Sequence, residues 1–160
     1  TLSIVYRSLE RSVEALDTAR RSVALADESG LVGMSVRARV NFGWALTEAG
    51  HHIAARQVFG QARARASQTT PADEALLAAG DGMAADGLNH PDGKALVDDG
   101  LKIARELGFA EVIGWAAMAA GTVHRSADLL IEAREIWEQL SRPVWVVKTD
   151  RLLDELDDLD

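Results

Sequence analysis

The apolar residues of this chain recur at the spacing of an α-helix almost from end to end. Two clear series, at steps of three and four residues, are Ala55, Phe59 and Ala62, and Leu130, Ala133, Trp137 and Leu140. Residues at these steps share one face of a helix, whereas a half-buried strand alternates apolar and polar residues. The sequence shows no sustained alternation of that kind. The pattern therefore predicts an all-α protein.

Glycine, proline and small polar residues divide this helical pattern into segments. The interruptions lie at residues 28–30, 50–52, 67–71, 87–93, 108, 125–126 and 141–143. Glycine and proline are typical of helix ends, because glycine adopts the left-handed conformation of a helix terminus and proline cannot continue a helix. The interruptions predict about eight helices that are joined by short loops.

The segments also repeat. An offset of 78 residues places four pairs of residues on each other: Gly30 on Gly108, Gly43 on Gly121, Ala55 on Ala133, and Phe59 on Trp137. Two units of about 39 residues fit inside this offset, the second one degenerate. The interpretation is a single domain over 1–160, with a partial unit at 1–30, units at 31–69, 70–108 and 109–142, and a capping helix at 143–160.

Gly43 and Gly121 lie inside predicted helices, although glycine in a helix costs about 1 kcal/mol relative to alanine. If Gly50 is the turn of a helical hairpin, Gly43 and Ala55 lie at similar heights on antiparallel neighbours. We expect small residues to face each other there, so that the two backbones approach closely, while Phe59 reaches toward the next hairpin. The alternative is that Gly43 and Gly121 occupy equivalent positions by chance.

These residues resemble a tetratricopeptide repeat (TPR). Residues 36–69 carry the Phe42–Gly43 pair of its first helix, the turn glycine Gly50, and the small–aromatic–small series of its second helix. The resemblance implies a right-handed superhelical stack of antiparallel helix hairpins, an α-solenoid, whose first helices line a concave surface. It also implies that this surface binds an extended peptide or a helix of a partner protein.

A narrower resemblance concerns IARELGFAEVIGWAAMAAG and AREIWEQLSRPVWVVKTDRLLDEL. These stretches are similar to the repeat arms of large bacterial signal-transduction ATPases and ATPase-type transcription regulators. That similarity implies an interaction or sensor segment attached to a nucleotide-binding module, yet the chain has no GxxxxGK[ST] phosphate-binding loop of its own. Since it also begins without methionine, we interpret it as a fragment of a larger protein.

The TPR resemblance assigns certain side chains to the concave face, where aromatic residues and arginine often supply binding energy. The candidate partner-binding residues are Arg37, Asn41, Trp44, Glu48, Asp81, Trp115, Met118 and Arg125. For the two tryptophans a second interpretation stays open, because aromatic residues at helical spacing are most often core residues.

Composition limits the partners and the chemistry. A formal net charge of −8 makes nucleic acid and anionic membranes unfavourable partners. No stretch is long and apolar enough for a membrane helix, and the absence of cysteine fits a reducing compartment, so we expect a cytoplasmic location.

The adjacent His51 and His52 do not have the spacing of metal ligands, and no nucleophile elbow or converging carboxylate pair is present. We therefore expect no catalytic site, no metal and no cofactor.

The sequence thus predicts a non-catalytic protein–protein interaction scaffold or sensor segment of a bacterial regulatory protein. Its partner would be a peptide, another protein or another domain of the same polypeptide. The alternative is a small-molecule effector sensor that controls an attached output module. Association of two copies through the C-terminal helix is a further hypothesis, carried by Leu152, Leu153, Leu156 and Leu159.

Overall fold

The computed structural model describes residues 2–65, 67 and 69–158, with side chains from residue 12 onward. This part of the chain contains eight α-helices and no strand. The helices are α1 (Leu2–Glu28), α2 (Val32–Glu48), α3 (His52–Arg63), α4 (Pro71–Gly87), α5 (Gly93–Leu107), α6 (Ala110–His124), α7 (Ala127–Gln139) and α8 (Pro143–Asp157). The prediction of an all-α fold with eight helices is confirmed. None of the described helices combines the length and apolar character needed to cross a bilayer.

The helix ends fall where the interruptions of the sequence pattern predict them. Gly30, Gly50 and Gly108 have φ values of +68°, +79° and +76°, a left-handed conformation that glycine adopts without steric cost. At two later turns the sequence lacks glycine, and Arg125 and Ser141 take the left-handed conformation instead, at φ values of 53° and 54°. The same turn geometry therefore recurs even where the sequence signal for it is weak.

The helices pack mainly in chain order. Each helix lies against the next one, and α2 also packs against α4, as α4 does against α6. Pairs α2/α3, α4/α5 and α6/α7 are thus successive hairpins, and their first helices touch one another. This order is what a stack of hairpins requires. The right-handed superhelical course of the stack stays a prediction.

The helical glycines make room for large side chains. A Cβ atom on Gly43 would lie 2.5 Å from the ring of Phe59, and a Cβ atom on Gly80 would lie equally close to the same ring. Phe59 is fully buried between these two positions. The expectation of a packing role is confirmed: the atoms nearest to a Cβ on Gly43 belong to the Phe59 ring, which also reaches Gly80 of the next hairpin. An aromatic ring fills the hollow and buries more apolar area than a second small residue would.

In the hairpin α6/α7, helical glycines also make room for large side chains, but the contacts differ. A Cβ atom on Gly121 would lie 2.8 Å from Leu130, and one on Gly114 would lie 2.9 Å from the ring of Trp137. Leu130 and Trp137 are both among the most deeply buried large side chains. The 78-residue repeat therefore preserves close helix packing, while the side chain that uses each hollow has changed.

Helix α8 closes the C-terminal end of the described fold. Leu152, Leu153 and Leu156 are partly buried against the core, and Leu159 lies outside the described residues. A capping helix usually presents a polar outer face, which keeps a repeat array soluble. Val144 and Val147, however, are exposed on α8 by 71% and 51%. This end of the described fold therefore carries apolar surface that none of the described residues covers.

Candidate functional site

All four tryptophans of the chain meet in one cluster. The ring centroids of Trp44 and Trp115 lie 4.9 Å apart, and Trp115 is 5.5 Å from Trp137 and 4.2 Å from Trp145, all in edge-to-face arrangements. The indole N–H of Trp44 also donates a 2.9 Å hydrogen bond to the carbonyl of Leu76. Edge-to-face packing is the favourable geometry for aromatic pairs. Of the two interpretations for Trp44 and Trp115, the structure favours packing residues.

Helix α8 contacts two other predicted binding residues, Glu48 and Met118. The Lys148 ammonium lies 2.8 Å from a carboxylate oxygen of Glu48, and 4.6 Å from the ring centroid of Trp145. Met118 is buried, and its sulfur is 3.9 Å from the hydroxyl of Thr149. Glu48 and Met118 are therefore both in contact with α8.

Asp81 lies in a buried ion-pair cluster and not on an open surface. Only 2% of the residue is exposed, and its two carboxylate oxygens accept hydrogen bonds from Arg56 at 2.9 Å and Arg63 at 3.0 Å. Both arginines belong to α3. The repeat alignment placed Asp81 on the concave side, but the rotation of α4 turns this carboxylate toward α3. Its charge is used to hold the two helices together.

Arg125 is exposed and separate from these clusters. It forms the end of α6, where its left-handed conformation terminates the helix, and the hydroxyl of the preceding Thr122 bonds back to the Met118 carbonyl. Its position is set by the turn. The structure does not bring it together with the other predicted binding residues in the groove described next.

Two predicted residues, Arg37 and Asn41, do line an open site. It is a groove of about 560 Å³ between the C-terminal part of α1, the N-terminal part of α2 and the start of α4, and we call it the α1/α2 groove. Its apolar wall includes Leu25 and Met34, which are exposed by 66% and 55%. Large apolar side chains that lie exposed side by side are typical of surfaces that another molecule covers.

The polar edge of the groove is held in place by a buried acid. The Arg37 guanidinium donates to both oxygens of the Asp73 carboxylate, at 2.5 and 3.2 Å. Thr70 donates its hydroxyl to the same carboxylate and accepts from the Asp73 backbone N–H, which caps the start of α4. The hydrogen bond that Arg37 donates to Asp73 raises the pKa of Arg37 above its ordinary value. Arg37 thus stays charged and half-exposed beside the apolar wall.

The sequence interpretation missed the apolar wall. Leu25 and Met34 were not candidates, because the repeat alignment selected only one stripe on each first helix. A signal was present, since both are large apolar residues close to the turn at 28–30. Neither residue belongs to the apolar stripe that packs its helix into the stack, so each is left to face solvent.

The described residues show no site for metal chemistry. They contain no group of three or more histidine or acidic side chains that could hold a metal ion. His52 packs against Gly87, and the adjacent His51 is exposed.

No protein-family model matches the chain, and no curated protein is significantly similar to it. The interpretation of the site therefore depends on its geometry.

Proposed function

We propose that this chain is a non-catalytic, TPR-like interaction scaffold of a bacterial cytoplasmic regulatory protein, and that it binds a peptide or a helix of a partner in the α1/α2 groove. One observation carries the proposal: the groove combines exposed Leu25 and Met34 with the fixed charge of Arg37. Apolar contact supplies affinity, while a positioned charge and the Asn41 amide select orientation.

The shape of the groove supports a helix or peptide as its ligand. Its floor includes Ala26 and Ala38, which have short side chains and are almost fully buried. Small residues let another backbone approach closely, as they do between helices elsewhere in the fold. Because Arg37 is already held by Asp73, little side-chain freedom is lost on binding.

The proposal uses only part of the surface that the TPR resemblance implied. Trp115, Met118 and Glu48 contact α8, and Trp44 is buried beside Trp115, so these four residues already have partners within the fold. The α1/α2 groove is accessible without any rearrangement. Binding there therefore does not need the energy that would detach α8.

A peptide-display selection tests the proposal. The selected peptide is synthesised, and its affinity is measured by fluorescence anisotropy for the wild type, Met34→Glu and Ile53→Glu. Ile53 is exposed by 66% on α3, outside the groove, and serves as the matched control. We expect Met34→Glu to weaken binding at least tenfold, at a cost of about 1.4 kcal/mol, and Ile53→Glu to leave it unchanged. Equal affinities for all three proteins would contradict the assignment of the groove.

The size of the groove gives some support to the effector-sensor alternative. A volume of about 560 Å³ lies within the range of roughly 300–1,000 Å³ that small-molecule sites occupy. A thermal-shift screen with a metabolite library distinguishes the two functions. A metabolite that stabilises the wild type, but not Met34→Glu, would favour the sensor.

A further inference from the structure

Helix α2 presents three of the groove residues in one line. Met34, Arg37 and Asn41 follow each other at steps of three and four residues, and all three line the α1/α2 groove. Residues at these steps share one face of a helix and are separated by about 4.5–6 Å along its axis. The line therefore runs from an apolar side chain to a cation and then to an amide. Leu25 of α1 belongs to the apolar wall at the same groove.

The guanidinium of Arg37 uses only one of its edges within the described fold. Its Nε and Nη2 atoms donate to the two carboxylate oxygens of Asp73, at 2.5 and 3.2 Å. Because arginine has five N–H groups, both N–H groups of Nη1 and one of Nη2 remain, and they donate to none of the described residues. The side chain is 55% exposed. Arg37 is thus fixed on one edge and able to donate on the other.

The amide of Asn41 lies one turn further along α2. The residue is exposed, and its side chain makes no hydrogen bond with any of the residues that the structure describes. An amide group can donate two hydrogen bonds through its nitrogen. Arg37 and Asn41 together therefore place uncommitted donors at the same side of the groove.

The acid that holds Arg37 contributes little negative charge to the surface. The Asp73 side chain is only 3% exposed, and its carboxylate also accepts the Thr70 hydroxyl. It lies in the first turn of α4, where the helix dipole favours negative charge. Among the described residues that line the groove, only Arg37 and Asp73 are charged. The accessible charge in the groove is therefore positive.

The sequence places this cation in a basic part of an acidic chain. The repeat unit 31–69 contains five arginines and one glutamate, a formal charge of +4, whereas the residues outside it carry −12, which gives the overall −8. Two acids that pair with arginines of this unit, Asp73 and Asp81, are buried, and its one glutamate, Glu48, is paired with Lys148. The exposed charge of the unit is thus mainly that of arginine. This pattern belongs to α2, α3 and α4 and does not depend on what precedes α1.

We infer that the α1/α2 groove takes an acidic peptide segment, in which an aspartate or glutamate side chain lies about one helical turn from a large apolar side chain. The inference rests on the proposed function, because it names the chemistry of the ligand for the same groove. The apolar side chain packs against Leu25 and Met34. The carboxylate accepts hydrogen bonds from the outer edge of Arg37 and from the Asn41 amide. Charge-assisted hydrogen bonds of this kind are roughly twice as strong as those between neutral groups.

The pairing of Arg37 with Asp73 is compatible with a second carboxylate, because the two acids use different edges of the guanidinium. The overall charge of −8 would by itself favour a basic ligand. The charge within the groove favours an acidic one. A measured preference for acidic peptides would therefore identify the local arrangement at Arg37 as its cause.

Sequences selected from a display library of helical peptides give the first test. We expect an acidic residue about three or four positions from a large apolar residue in most of the selected sequences. One selected peptide, with its C-terminus amidated, is then synthesised with the acid and with the corresponding amide. We expect the amide form to bind the wild type about tenfold more weakly, measured by fluorescence anisotropy. Equal affinities, a preference for basic residues at this position, or binding only when the C-terminus is free would overturn the inference.

A double-mutant cycle assigns the effect to Arg37. The matched control is Arg63→Gln, since Arg63 is 49% exposed and also pairs with a buried acid, Asp81, but lies on α3 outside the groove. We expect the difference between the acidic and amide peptides to stay near tenfold in Arg63→Gln and to fall below about twofold in Arg37→Gln. A difference that persists in Arg37→Gln would contradict the assignment. Circular dichroism checks the fold of both variants, and the comparison of the two peptides on the wild type needs no variant.

The two proposals can fail separately. If Met34→Glu abolishes binding of the selected peptide while the acidic and amide forms bind the wild type equally, the groove binds a different ligand and only the inference about an acidic segment is wrong. If the selected peptide binds Met34→Glu normally, the proposed function is wrong, whatever the charge of the peptide.

Discussion

The ring of Phe59 lies between two glycines, and this makes Gly43→Ala a sensitive test of the packing. The new Cβ atom would lie 2.5, 2.6 and 2.9 Å from three ring carbons, where about 3.5 Å or more is needed. The ring cannot move away freely. A Cβ atom at Gly80 would also lie 2.5 Å from its Cζ atom, so this side of the ring is in close contact with the α4 backbone.

The expected magnitude is the difference between two effects. Replacing a helical glycine by alanine favours the helix by about 1 kcal/mol. Overpacking a close-fitted core costs typically 1–3 kcal/mol, and a radial overlap of about 1 Å against a fully buried ring belongs at the upper end. We therefore expect Gly43→Ala to lower the free energy of unfolding by about 1–2 kcal/mol.

Urea unfolding monitored by circular dichroism measures this effect, and Gly60→Ala is the matched control. Gly60 is also helical, but a Cβ atom there meets nothing within 4 Å, so we expect a gain of about 0.5–1 kcal/mol. Combining Gly43→Ala with Phe59→Leu should cost at least 0.5 kcal/mol less than the sum of the single changes, because the smaller side chain removes the overlap. If Gly43→Ala were as stable as the wild type, the close packing of Phe59 would be wrong.

Three further predictions concern charge and the tryptophan cluster. Asp81→Ala should lower the free energy of unfolding by about 2 kcal/mol in urea, because two partly exposed arginines lose a buried partner. Asp98→Ala, which removes an exposed hydrogen bond with His124, should change it by less than about 0.5 kcal/mol. The hydrogen bond from Arg39 holds the pKa of Asp27 well below its ordinary value of 3.8, so its stabilising effect is fully present above that value and is lost as the pH falls below it. The difference in urea midpoint between the wild type and Asp27→Asn should accordingly shrink from pH 7 to about pH 2, and a constant difference would contradict the pairing. Trp145→Ala should accelerate amide hydrogen exchange in α8 more than in α3, and a uniform acceleration along the chain would show that the cluster does not anchor α8.

Much of the fold could be predicted because its determinants are local. Helical periodicity identifies the segments, and glycine at positions such as Gly30, Gly50 and Gly108 marks turns that need a left-handed residue. A turn without glycine, as at Arg125, was still found from the change of pattern around it. Close helix packing at Gly43 and Gly121 was also predictable, since an interior glycine is costly unless another group uses the space.

The site was less predictable, because it depends on how each helix is rotated. Periodicity shows that Trp44 and Trp115 lie on apolar faces, but it does not show that helices far apart in sequence bring them together. Asp81 was assigned to an open surface by its place in a repeat, whereas the partners that enclose it lie on the preceding helix. The exposed side of the α1/α2 groove depends on what a neighbouring helix leaves uncovered, and no single segment of sequence contains that information.

The contacts between Trp44 on α2 and Trp115 on α6, and between Glu48 on α2 and Lys148 on α8, affect how the chain would respond to force. A linear array of repeats under tension unravels from its termini, one unit after another, because each unit touches only its neighbours. Here the aromatic contact links the first complete hairpin, α2/α3, to the third, α6/α7, and the ion pair links α2 to α8. Pulling on the two termini would therefore place helices α2 to α8 under force together. A force–extension trace should show them unfolding in one large rupture.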